Sequence, residues 1–225
     1  MRTIHPKFVM RSARANDDED DDEELTMRVD SHEETVIIEN DRIANIYIQG
    51  PICEEVVAPA IEYIIQCSMD HEKQLIGINM FIDSTGGELD AAMKLIDAMR
   101  MSEVGIRTIG WGKVASAALM IFMAGGERVM SENVSVMSHH ASFNATAYSI
   151  RVTDPSQQME FKLITDRIVR IYQRAILKDR KYIMKHLLKD HDVYLSAEQC
   201  IEHGIAHYIM PRGMGWLKTF EVEEV

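Results

Sequence analysis

Three short stretches of this 225-residue chain carry side chains able to do chemistry. "VMSHHAS" sets two histidines side by side, His139 and His140. A histidine pair serves either as two metal ligands or as one working base beside a bystander. If Val134 to His140 is extended, successive side chains point to opposite faces. His139 then shares a face with Met137 and Ser135, and His140 one with Val136 and Val134. Ligands on opposite faces do not close on one zinc, and no Cys or His cluster with metal spacing stands nearby. The residues thus speak for no metal and for a single histidine, a proton-transfer base or an ordinary hydrogen-bonded imidazole.

A base needs a nucleophile. Ser116 lies in "GKVASAAL", where a glycine-containing strand end meets a helix start built of small residues. A hydroxyl there sits at the positive end of a helix dipole, beside backbone N–H groups without helical partners. Ala115, Ala117 and Ala118 would let a substrate backbone come close. The same serine also suits a plain helix start in a tight core. "DSTGGEL" places Gly86 and Gly87 at a strand-to-helix turn, where N–H donors could form part of an oxyanion hole or simply turn the chain. Neither phosphate-binding glycine pattern is present. A carboxylate that orients the base would complete the set. Asp192, Asp190 and Asp154 all stand near helix entries, Asp192 directly before a capped one, and spacing alone does not choose among them.

The elements that must position these residues follow from periodicity. "TVIIEN" and "IANIYIQG" read as strands. A helix is expected over Glu54 to Met69, a strand over Leu75 to Ser84, and a second helix with Leu89, Ala92, Met93, Ile96 and Met99 at helical spacing. "IRTIGWG" reads as a strand, "VASAALMIFMAGG" as an apolar helix stopped by Gly125 and Gly126, and "RVMSENVSVMSHHAS" as further strands. A long helix opens at "DPSQQ", with Asp154 as cap and Gln157 at capping-box spacing. A last helix opens at Ser196, with Gln199 three residues on and Gly204 closing it. Alternating strands and helices point to an α/β fold with much parallel pairing.

Composition bounds the rest. Apolar residues make up 46% and charged residues 27%, ordinary values for a globular chain. No apolar run approaches the ~20 residues of a membrane span, and a net charge of −12 argues against a nucleic-acid partner. Three cysteines without C-x-x-C spacing fit a reducing, cytoplasmic setting, with an organelle interior as the second choice. Basic residues Arg2, Lys7, Arg11 and Arg14 precede the acidic run Asp17 to Glu24. Without an apolar core or a serine-rich composition, they read as a solvated tail or removable segment rather than a targeting peptide.

In order and spacing, "INMFIDSTGGELDAAMKLIDAM", "TIGWGKVASAALMIFMAGG", "NVSVMSHHAS" and "DVYLSAEQCIEHGIA" resemble the ClpP family of self-compartmentalising serine peptidases, from about Arg42 to Met210. The resemblance implies a crotonase-like α/β fold of repeated ββα units with a long protruding handle helix. It also implies a homo-oligomer of two stacked heptameric rings, fed with unfolded polypeptide by a Clp-type AAA+ unfoldase. No cofactor is implied, ATP being used by the unfoldase. Matched by motif, Ser116 would be the nucleophile, His139 the base and Asp192 the orienting acid. Gly87 and Ala117 would supply the oxyanion N–H groups, and His140 would line the cleft wall. Phe81, Ile109 and Trp111 match apolar positions of the pocket that receives the unfoldase.

Departures accompany the match. Thr85 replaces a usual proline and Ala117 a usual methionine. Asn79 and Ser131 stand for apolar or aromatic docking residues, and "SFNATAYSIRVTDPS" carries none of the glycines of the family's cleft strand. The expected organisation is a tail over 1–33, a peptidase domain over 34–210 and a C-terminal tail over 211–225. Other assignments are a non-catalytic ring subunit and an acyl-CoA enzyme of crotonase type. The filled triad positions and the lack of a basic CoA-binding cluster weigh against them.

Overall fold

The computed structural model describes residues 27–29, 35–40, 42–70, 75–140, 155–213 and 215–220. Strands β1 (Met27–Val29), β2 (Thr35–Asn40) and β3 (Ile43–Gln49) form an antiparallel meander, so part of the stretch read as a tail pairs with the sheet. Helix α1 (Glu54–Met69) then crosses to β4 (Gly77–Ser84), and α2 (Leu89–Met101) crosses to β5 (Ile106–Ala115). Helix α3 (Ala117–Met123) leads into β6 (Glu127–Met130). Strands β3, β4, β5 and β6 pair in parallel, and β9 (Tyr208–Ile209) closes that edge. The mixed, largely parallel sheet flanked by helices is the expected α/β architecture, and the long helix α4 (Pro155–Ile176) stands where a handle helix was expected. Asp154, read as that helix's cap, and most of the glycine-free stretch lie outside the described residues.

The period of two is visible in β3, where Ala44, Ile46 and Ile48 are fully buried and alternate with half-buried Asn45 and Tyr47. The buried face joins the main core with Val57, Ala60 and Ile64 of α1, Leu95 and Ile96 of α2, and Leu119 and Phe122 of α3. The opposite face carries a smaller cluster of its own.

One strand does two jobs. The first half of β5 pairs with β6 through Arg107–Gly110, and its second half pairs with β7 (Ser135–Ser138) through Lys113–Ala115. Between them the β4–β5 register shifts, and Gly112 adopts φ +56 with its Cα against the Asp83 carboxylate. A Cβ at Gly112 would lie 2.6 Å from Asp83 Oδ1, the same oxygen that accepts the Lys113 N–H at 2.9 Å. Glycine therefore allows the bend that redirects β5 toward β7.

This pairing corrects one sequence expectation. Val114 and Ala115, read as helical, are strand: Ala115 lies opposite Met137, and α3 begins only at Ala117. Tertiary pairing overrides the helix preference of small residues. A short helix α5 (Arg180–His186), capped by Asp179, and a strand β8 (Val193–Leu195) are additional. Helix α6 (Ala197–His203) has the expected capping box of Ser196 with Gln199 and ends at left-handed Gly204.

Candidate active site

Ser116 occupies the single residue between the end of β5 and the start of α3. Its backbone sits at φ 55, ψ −122, a conformation that non-glycine residues avoid and that costs about 1–3 kcal/mol. The surroundings hold it there. The Ser116 N–H donates to the Met137 carbonyl at 2.9 Å, and its own carbonyl accepts the Leu119 N–H at 3.0 Å. A strained strand-to-helix turn of this kind lifts a side chain clear of the sheet, and the Ser116 side chain is half-exposed.

The glycine turn packs directly on this serine. A Cβ on Gly86 would lie 2.7 Å from Ser116 Cβ and 3.0 Å from the Ala117 nitrogen. Gly86 has φ +90, and its carbonyl accepts the Ile52 N–H at 2.9 Å. A Cβ on Gly87 would meet Ile52 O at 2.2 Å, so the close approach of Ile52 requires glycine there. Among the described residues, neither the Gly87 nor the Ala117 N–H has a hydrogen-bond partner. Two backbone donors are left over beside the serine hydroxyl.

Strand parity brings the histidine in. Val136 and Ser138 of β7 point into the core, so Met137 and His139 turn the other way. Ser138 Oγ donates to the Leu187 carbonyl at 2.7 Å and therefore accepts the Tyr172 O–H at 2.7 Å. Burial pushes the Tyr172 hydroxyl up to about 12, so it remains a donor. This buried chain anchors the residue preceding His139, with no motif in the sequence to announce it. His139 Nε2 stands 2.6 Å from Ser116 Oγ.

Antiparallel pairing explains the carboxylate. Ser138 lies opposite Val193 of β8, so the next residue of one strand faces the preceding residue of the other. Asp192 thereby comes to His139, with Oδ1 3.8 Å from Nδ1. Asp190 is exposed, and among the described residues no other carboxylate lies within ion-pair distance of His139. The expectation that Asp192 directly precedes the last helix is corrected, because β8 intervenes.

His140 goes elsewhere. Its ring stacks on Phe161 of α4, with centroids 5.8 Å apart and planes 12° from parallel. The two histidines diverge, one toward Ser116 and one toward the handle helix. None of the three cysteines is in a disulfide, and burial drives the Cys200 thiol up to about 12.

Phe81, Ile109 and Trp111 lie on the outer face of the sheet, away from Ser116. Register aligns Tyr47, Phe81, Ile109 and Val129 in one row across four strands. Tyr47 stacks on Phe81 at 4.7 Å, and Trp111 tilts against Phe81 at 5.0 Å. The neighbouring row is polar: Asn45, Asn79, Arg107 and Glu127.

A turn serine on a histidine, a carboxylate behind it and two spare N–H groups are the parts of a hydrolase site. The comparisons agree in kind. The ATP-dependent Clp protease proteolytic subunit 1 of Cutibacterium acnes is 30% identical over 178 residues, covering 76% of this chain and 77% of the relative. The corresponding subunit of Paracoccus denitrificans is 24% identical over 164 residues, 72% of this chain and 79% of its own. In structure, a ClpP1 mutant from Listeria monocytogenes superposes with a TM-score of 0.64 at 22% identity, covering 77% of this chain and 94% of that one. Among the described residues, no helix is long and apolar enough to cross a membrane. With the Clp protease family model matching residues 28–213, from the first strand to just past the last, the chain belongs to the Clp protease family.

Proposed function

We propose that the chain is a serine endopeptidase subunit that hydrolyses unfolded polypeptides and peptides. His139 takes the Ser116 proton as Oγ attacks the peptide carbonyl, and the N–H groups of Gly87 and Ala117 receive the oxyanion. The imidazolium then protonates the leaving amine, and water, deprotonated by His139, releases the acyl group from Ser116. Asp192 fixes the tautomer that presents Nε2 as acceptor. The chemistry uses no metal or cofactor. As in the family it belongs to, the subunit would assemble into two stacked heptameric rings served by an AAA+ unfoldase that consumes ATP. The observation that carries this reading is the 2.6 Å contact between Ser116 Oγ and His139 Nε2 at a strained turn. Labelling with a fluorophosphonate probe tests it: the native chain is to be modified at Ser116 and the Ser116→Ala variant not at all. An unlabelled native chain would sink the assignment.

One observation favours a second reading, a non-catalytic ring subunit. Asp192 is 49% exposed and too far from His139 to hydrogen-bond. Labelling at Ser116 without any peptide turnover in the assembled ring would support it.

A further inference from the structure

The outer face that carries Phe81, Ile109 and Trp111 is not open. A single 3-10 turn, Gly215–Lys218, lays Trp216 and Leu217 against the Phe81–Ile109–Val129 cluster. Phe220 follows onto the start of β4, where a Cβ on Gly77 would lie 2.4 Å from its ring carbons. The polar row grips the backbone of the same segment. Arg107 donates to the Trp216 carbonyl at 3.1 Å and to the Thr219 carbonyl at 2.6 Å. Asn79 donates to the Leu217 carbonyl at 3.0 Å. The Arg107 guanidinium also lies over both aromatic rings, 5.5 Å from the Trp216 centroid and 4.4 Å from that of Phe220. Arg107 is itself almost wholly buried and held by Glu127 at 2.5 Å and Asn79 at 3.2 Å.

Apolar side chains set on an aromatic row, with carbonyls held by fixed donors, amount to peptide recognition in which row and donors are supplied by strand register. The fit is incomplete. Trp111 Nε1 and Trp216 Nε1 are both buried without a hydrogen-bond partner among the described residues. Each is a desolvated donor left unmatched: a ligand that accepted from Trp111 Nε1 would have an advantage over the resident segment, and displacing that segment would return Trp216 Nε1 to water.

We propose that Trp216–Phe220 is a displaceable plug, bound in cis to the face where a partner's peptide docks. This deepens the proposed function and rests on reading that face as the one that meets the unfoldase. The partner segment it excludes is a short peptide with an aromatic–aliphatic pair and carbonyls presented to Arg107 and Asn79. Because the plug is tethered, a partner must compete with a high local concentration of it.

The test uses full-length protein and a fluorescently labelled synthetic peptide, GWLKTF, read by anisotropy. The double variant Trp216→Ser/Leu217→Ser is to bind it at least about tenfold more tightly than the unaltered chain, with Phe220→Ser falling between. Adding Phe81→Ser to the double variant is to remove the gain. Equal affinity for unaltered and double-variant chains overturns the proposal, as does no binding by either single or double variant up to about 1 mM peptide. Fluorophosphonate labelling of Ser116 in the same samples shows that the variants are folded. It also reports the peptidase assignment separately, since the plug lies on the other face of the sheet.

Discussion

Asp192 Oδ1 stands 3.8 Å from His139 Nδ1, while Nε2 of the same ring is already within 2.6 Å of Ser116 Oγ. The ring is thus in hydrogen-bond contact with the Ser116 hydroxyl on one side and beyond hydrogen-bond reach of the Asp192 carboxylate on the other. Catalytic hydrogen bonds that are long without substrate tighten in the substrate complex. Asp192→Asn is therefore expected to lower kcat by about 10^3- to 10^4-fold in the assembled enzyme, with KM little changed. A loss below tenfold would mean that Asp192 does not orient the base.

The two histidines give an asymmetric pair. His139→Ala is expected to reduce kcat by about 10^4- to 10^6-fold. His140→Gln loses the stacking on Phe161 and is expected to keep most of the activity. Peptide hydrolysis by both variants decides it, and equal losses would mean that the assignment of the base is off by one residue.

Gly86→Ala is expected to damage the site and the fold together. At φ +90 an alanine is strained by about 1–3 kcal/mol, and its Cβ would press on Ala115 O and Ser116 Cβ, each 2.7 Å away. A lower melting temperature with a slower rate of Ser116 labelling is the predicted signature. Normal labelling would show that the turn relaxes without moving the serine.

Arg128 ties three elements with one guanidinium. It donates to the carbonyls of Gly125, Ala175, Gly204 and Ile205, and burial pushes its pKa below the usual value. Arg128→Met leaves those carbonyls short of donors and is expected to cost about 2–4 kcal/mol. The urea midpoint measures this, and an unchanged midpoint contradicts it.

Acid is expected to loosen the α5–α6 corner. Burial first, and His186 second, depress the pKa of His203, whose Nδ1 meets the Tyr182 hydroxyl at 2.8 Å; Glu202 opposes the shift. Below its ordinary value of 6.5 the unfolded chain binds a proton that the folded chain resists. The contribution of His203 is thus complete above pH 6.5 and is lost as pH falls through the folded pKa. Melting temperature should drop between pH 7.5 and 5, and less steeply in His203→Asn. Identical slopes would assign the acid sensitivity elsewhere.

Much of this was legible along the chain because it is written in local chemistry. The bounds of α1, the capping box at Ser196 and Gln199, and the divergence of His139 from His140 all follow from periods of 3.6 and two and from cap preferences. Motif order likewise brought Ser116, His139 and Asp192 forward together. Tertiary structure decided what depends on pairing between distant strands. The bend at Gly112 lets β5 run on as strand to Ala115 where a helix was expected, and the β7–β8 register is the physical reason that Asp192 comes to His139. The anchoring of Ser138 by Tyr172 and Leu187 joins residues 34 and 49 positions apart, with no local signal. The same holds for Gly215–Phe220, which falls within the stretch read from sequence as a C-terminal tail over 211–225. Its fate is decided by a row of side chains that four strands bring into line, and no local period encodes a contact between residue 107 and residue 219.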